Sequence, residues 1–88
     1  MIRRRIVFYG FVQGVGFRFR ARHAAALFGC AGWVRNEEDG SVTLELQGAE
    51  NAVDQALEAI ERGPFLQIDR MEGSNLPPDP AERDFETL

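Results

Sequence analysis

An α+β fold built in the order β-α-β-β-α-β is what this 88-residue sequence predicts. Three observations predict it. Short runs of strand character, led by β-branched and aromatic residues, occur at residues 4–11, 31–36 and 41–47. Two other stretches, 16–28 and 50–62, carry apolar residues at spacings of three and four, the period of a helix with one buried face. Asp39-Gly40 supplies the positive-φ position that joins the second and third runs as a hairpin.

Each element follows from its residues. Ile6, Val7, Phe8 and Tyr9 make a first strand buried on at least one face, and a glycine-rich loop follows it. In the first helix, Phe17, Ala21, Ala24, Ala25 and Phe28 share one face, and Gly29 ends it. "AGWVRN" (31–36) is a short second strand, and Glu37 to Gly40 is the turn. Residues 41–47 alternate, with Val42, Leu44 and Leu46 on a core face and Thr43, Glu45 and Gln47 on a face expected to be half-solvated. Val53, Ala56, Leu57 and Ile60 form the buried face of the second helix, which Gly63-Pro64 terminates. A fourth strand is expected at 65–72 around Ile68 and Met71, a proline-containing loop at 73–84, and a short last strand at 85–88. Assembled, these elements predict a ferredoxin-like sandwich occupying residues 1–88 as a single domain. Its antiparallel sheet has strand order 4-1-3-2, with the second strand at an edge and two helices on one face.

Composition narrows the chemistry. The apolar fraction of 44% is that of an ordinary globular protein, and no segment approaches a membrane span. The apolar run after Arg3 to Arg5 is short and broken by glycine, so no signal peptide is expected. Cys30 is the one cysteine, which points to a reducing cytoplasm. Lysine is absent, which excludes a Walker-type phosphate loop and Schiff-base chemistry. His23 is the one histidine and lies outside any Cys/His cluster, so no metal site is expected. Charge is divided: residues 1–36 carry +7 and residues 37–88 carry −11 of a net −4. Either the first half meets an anionic ligand, or the two halves pack together and neutralise each other.

The stretch "GFVQGVGFR" (10–18) is the chief chemical feature. A glycine-rich turn from a strand into a helix exposes backbone N–H groups that lack an intrahelical partner, at the positive end of the helix dipole. Such a site favours an anion, phosphate above all. Gly14 and Gly16 would let the backbone approach a ligand closely, with Val12, Val15 and Phe17 anchoring the loop to the core. Arg18, in the first helical turn, can fork onto two phosphate oxygens. Packing alone also explains many glycine-rich turns, and the spacing Gly-x3-Gly-x-Gly does not fit the dinucleotide fingerprint. Asn36 closes the second strand. It reaches the glycine loop only if that strand runs in the appropriate sense, and asparagine is equally a favoured turn residue.

Together, "GFVQGVGFR" and "GWVRNEEDGSV" (32–42), at their mutual spacing, resemble the acylphosphatase family. The likeness extends through "AVDQALEAIERGP" and covers about 6–70. The resemblance implies the same sandwich fold and hydrolysis of the carboxyl–phosphate bond of small acyl phosphates by direct water attack, releasing inorganic phosphate. It implies no metal and no cofactor, and no nucleic acid or membrane partner; a monomer is expected. By position it implies that Arg18 binds the phosphoryl group. Backbone N–H groups of Val12, Gln13, Gly14, Val15, Gly16 and Phe17 surround that group, and Asn36 positions the attacking water. The chemistry is consistent, because a carboxylate whose acid has a pKa near about 4 departs without protonation. Holding a dianion and aligning water then suffices.

Two departures stand out. Glu37 occupies a position where the family often has threonine, and would oppose a dianion unless it points to solvent. The end "RDFETL" lacks the family's aliphatic-then-basic finish, so a short or frayed edge strand is expected there. Rival readings fit less well. A cysteinyl-phosphate loop needs Cys-x5-Arg, whereas that register from Cys30 lands on Asn36. Cys30 is expected to be a small buried residue and His23 to be a surface or boundary residue. An RRM shares the topology and has an aromatic-glycine signature. Gly14 and Gly16 interrupt that pattern here, and a pI of about 4.9 disfavours a polyanion. A non-catalytic domain that binds acyl or carbamoyl phosphate within a larger assembly is the second reading.

Overall fold

The computed structural model describes residues 1–88 as seven elements. These are β1 (Ile2–Phe11), α1 (Phe17–Phe28), β2 (Ala31–Asn36), β3 (Val42–Gly48), α2 (Glu50–Glu61), β4 (Gln67–Leu76) and β5 (Phe85–Thr87). They form one sheet in the order β4-β1-β3-β2-β5, with the two helices packed together over one face. β1 pairs antiparallel with β3 and β4, and β2 pairs antiparallel with β3. β5 lies parallel to β2, so the sheet is mixed. The ferredoxin-like plan and the 4-1-3-2 order hold, with one correction. β2 is not an edge strand, because the three residues of β5 cover it through the Gly32 to Val34 register.

The core lies between sheet and helices. Ile6, Phe8, Val34, Val42, Leu44 and Leu46 supply the sheet side, and Phe17, Ala21, Val53 and Ile60 supply part of the helical side. Both helices bury the faces that their three-and-four spacing predicts, apart from Phe28, which is half-buried at the end of α1. α1 ends at Gly29 in a left-handed conformation, from which the Gly29 N–H donates to Ala25 O.

Two expectations fail for tertiary reasons. Gly73 to Leu76 belong to β4, not to the following loop, because Arg3 to Ile6 of β1 pair with them. Thr43, Glu45 and Gln47 are buried, not half-solvated. Arg3 and the segment around residues 79–82 cover that face. Arg3 Nη2 meets Glu45 Oε1 at 2.8 Å, Arg3 Nη1 donates to Gln47 Oε1 at 2.8 Å, and Gln47 Nε2 donates to Asp79 O at 2.8 Å. Glu82 closes the network on Arg3 Nη1 at 2.5 Å.

The charge division has two answers. Arg3, Arg4, Arg5 and Arg35 pair with Glu45, Glu82, Asp54 and Glu37 of the acidic half. Arg18, Arg20 and Arg22, all on α1, make no salt bridge to an acidic side chain. Neutralisation therefore accounts for the sheet arginines and leaves the α1 arginines available to an anion.

Candidate active site

The glycine loop runs from the end of β1 into α1. Val12 and Phe17 fix it at its two ends: both are in the core, and the Phe17 ring meets Phe8 edge-on at 4.8 Å between centroids. Val15 is half-exposed and lies outside the core, so it does not anchor the loop. Gly14 and Gly16 have φ of 75° and 79°, the left-handed region that side chains disfavour. A Cβ at either would meet no protein atom within 4 Å. Their glycines are thus required by backbone conformation, not by protein crowding.

Gly16 is the N-cap of α1; it contributes no side-chain cap, and the first helical turn has no acidic residue. From Gly14 to Phe19 no backbone N–H donates to a protein acceptor; the first to do so is Arg20, to Gly16 O at 3.0 Å. Six consecutive donors therefore gather at the positive end of the helix with nothing bonded to them.

Topology settles where Asn36 stands. β1 and β2 both run antiparallel to β3 and hence parallel to one another, so their C-terminal ends share one end of the sheet. Val42 of β3 is the partner of Phe8 on one side and of Asn36 on the other. Two strand spacings, about 10 Å, separate those partners. Asn36 shares the helix-side face of β2 with the buried Val34, and it lines one cavity with Arg18. Val12, Gly14, Gly16, Phe17 and Phe19 complete the lining, and the cavity measures about 220 Å³. Arg18 is exposed, and its Nη1 donates to Leu88 O at 3.3 Å.

Gln13 and Val15 stand outside that lining. The Gln13 side chain turns the other way, where Nε2 donates to Glu37 O at 2.7 Å and Ser41 O at 3.0 Å. It ties the glycine loop to the turn that follows Asn36. Phe19 also lines the cavity, a residue that no motif singles out, since it falls off the apolar face of α1.

Glu37 does not face the cavity. Its carboxylate lies on the helix-free side of the sheet, accepting from Thr43 Oγ1 at 2.5 Å and from Arg35 Nη2 at 3.1 Å. Those bonds hold its pKa below the usual value, the Thr43 hydroxyl contributing most. Asp39 Oδ1 accepts from the Ser41 hydroxyl at 2.6 Å and the Ser41 N–H at 2.9 Å, which lowers its pKa likewise. Cys30 is buried, and burial pushes its thiol pKa up. His23 is exposed on α1. On the helix-free face, guanidinium groups lie over the aromatic rings: Arg35 and Arg5 at 5.0 and 5.9 Å from the Trp33 centroid, and Arg70 at 4.1 Å from that of Tyr9.

Comparison with known proteins identifies the family and the fold. The family model described as acylphosphatase matches residues 4–87. An acylphosphatase of Oceanobacillus iheyensis is 46% identical over 79 residues, covering 88% of this chain and 87% of that protein. The crystal structure of acylphosphatase from Bacillus subtilis matches with a TM-score of 0.92 at 34% identity, over 100% of this chain and 99% of that one. Full-length HypF, in its phosphate- and nucleotide-bound form, matches with a TM-score of 0.89 at 25% identity, over 99% of this chain but 12% of its own. A family match across nearly the whole sequence, carried by a fold of the same shape and length as the Bacillus protein, means that this chain belongs to the acylphosphatase family.

Proposed function

We propose that this protein hydrolyses the carboxyl–phosphate bond of small acyl phosphates to a carboxylate and inorganic phosphate, without metal or cofactor. The observation that carries the reading is the row of unbonded N–H groups from Gly14 to Phe19, opening on a cavity that Arg18 and Asn36 share. In this mechanism the loop from Val12 to Phe17 and the Arg18 guanidinium hold the phosphoryl oxygens. The loop donors are set by the backbone before the substrate arrives, and the exposed Arg18 guanidinium, bonded to Leu88 O, turns to join them as charge spreads onto the equatorial oxygens. The Asn36 carboxamide oxygen accepts a hydrogen bond from the water and aims its lone pair at phosphorus.

The water oxygen forms a bond to phosphorus as the bond from phosphorus to the acyl oxygen breaks. The bonding pair leaves with the carboxylate, and the water's proton passes to the phosphate product. Because the leaving acid has a pKa near about 4, no strong general acid is needed. The absence of lysine and of a histidine at the cavity is therefore no obstacle. Phosphate monoesters, whose alkoxide leaves poorly, react far more slowly.

We place this activity in the cytoplasm, in a monomeric single domain; no helix is long and apolar enough to cross a membrane. The likeness to one part of HypF favours a second reading, a non-catalytic domain that binds an acyl or carbamoyl phosphate within a larger assembly. RNA binding ranks lower, because the rings of the helix-free face already carry guanidinium groups where an RRM would stack bases. A salt-dependent titration with single-stranded oligonucleotides checks it.

The deciding assay is acetyl phosphate hydrolysis in excess chelator, for wild type, Arg18→Ala and Asn36→Ala. Chelator-resistant turnover is expected, with each variant folded and slower by about a hundredfold or more. Wild-type inactivity on several acyl phosphates, with binding retained, selects the second reading. Activity surviving in Arg18→Ala removes that residue from its role.

A further inference from the structure

Phe19 presents the one large apolar surface exposed at the candidate cavity. The other apolar lining residues, Val12 and Phe17, are 0% and 3% exposed and belong to the core, whereas Phe19 is 68% exposed. It sits off the buried face of α1 and adds nothing to the packing of the fold. Its ring partner is His23, one turn further on, parallel to within 4° at 6.4 Å between centroids. That arrangement leaves an aromatic ring held at the rim of a cavity whose other exposed surface is polar.

An acyl phosphate has two halves with opposite demands. Its phosphoryl group takes the N–H row and Arg18. In-line displacement puts the leaving carboxylate on the side of phosphorus away from the attacking water. The substituent on that carboxylate must therefore lie outside the cradle, against whatever the mouth of the cavity provides. Resting on the reading that this cavity hydrolyses acyl phosphates, we propose that Phe19 determines specificity. Its ring receives the acyl group and favours acyl phosphates with an aromatic or bulky apolar acyl group over those with a small one. The selectivity is modest by construction, because the ring is 68% exposed and is the one large apolar surface available to the acyl group.

Competing kcat/KM values for benzoyl phosphate and acetyl phosphate test the inference in wild type, Phe19→Ala and Phe19→Tyr. The wild type favours benzoyl phosphate. In Phe19→Ala the benzoyl-to-acetyl ratio falls about threefold to tenfold, the range expected for losing one aromatic pair, and Phe19→Tyr restores it. Inorganic phosphate, which lacks an acyl half, inhibits wild type and Phe19→Ala with the same constant. A ratio unchanged in Phe19→Ala overturns the inference while leaving the hydrolytic reading standing. A phosphate inhibition constant that weakens in step with the ratio also overturns it, since damage to the cradle then explains both. Wild type inactive on both substrates overturns the hydrolytic reading itself, and the specificity role with it. Should Phe19→Ala fold poorly, Phe19→Leu keeps apolar bulk without the ring and gives the same comparison.

Discussion

Replacing Gln13 by alanine removes a side chain that fastens the glycine loop to the turn beyond Asn36. Its Nε2 donates to Glu37 O at 2.7 Å and to Ser41 O at 3.0 Å. Neither carbonyl is orphaned by the change, because Glu37 O also accepts from the Gly40 N–H at 3.2 Å and Ser41 O from the Glu37 N–H at 2.9 Å. The loss is therefore the net value of two neutral hydrogen bonds without a desolvation penalty, about 1–2 kcal/mol. For a domain of this size that lowers Tm by about 5–10 °C. Activity suffers more than stability, since the two halves of the candidate site lose their shared reference. A drift of about 1 Å between cradle and Asn36 lowers kcat/KM by about tenfold to a hundredfold. Gln13→Glu is the harsher variant, as it sets a carboxylate against two carbonyl oxygens with no proton to offer. Thermal melts by circular dichroism, with acetyl phosphate kinetics on the same samples, make the comparison. A Gln13→Ala protein with wild-type Tm and wild-type kcat/KM refutes the tether.

Arg3→Met leaves Glu45 and Glu82 without the guanidinium they share and should cost about 3 kcal/mol in urea unfolding; the partial exposure of Glu82, 23% of its side chain, keeps the value at the low end of the range for buried pairs. Gly32→Ala should destabilise by about 3 kcal/mol or more, because φ is +141° and the new Cβ would stand 1.9 Å from Glu45 O in a strand paired on both sides. Glu37 has a folded-state pKa below its unfolded one, so its contribution to stability is present above the unfolded value, about 4.3, and is lost as pH falls through the folded value. Thr43→Val removes the principal cause and should flatten the acid limb of a stability–pH curve, with Asp39→Asn doing the same through the Ser41 bonds. An acid limb of unchanged slope in both variants would contradict the assignment.

What the sequence alone determined is local. Helix periodicity is set by each segment's own residues, so Val53, Ala56, Leu57 and Ile60 could be assigned to a buried face before any partner was known. The Asp39-Gly40 turn and the left-handed glycines of the loop are likewise short-range choices. Arg18 and Asn36 were legible as types within motifs. Their meeting was not, because it depends on β1 and β2 both pairing with β3 across the sheet. The same holds for every reading that changed. The bridge from the Gln13 side chain to the turn beyond β2 is equally a contact that no local pattern announces. Glu37 looked like a threat to an anion until Thr43 and Arg35 were seen to hold it on the opposite face. The polar face of β3 is buried by Arg3 and Glu82, 79 residues apart in sequence, and β2 loses its edge to three residues at 85–87. Periodicity reports the face that a segment prefers; only the packed chain decides what covers the other one, since that depends on contacts between residues far apart in sequence.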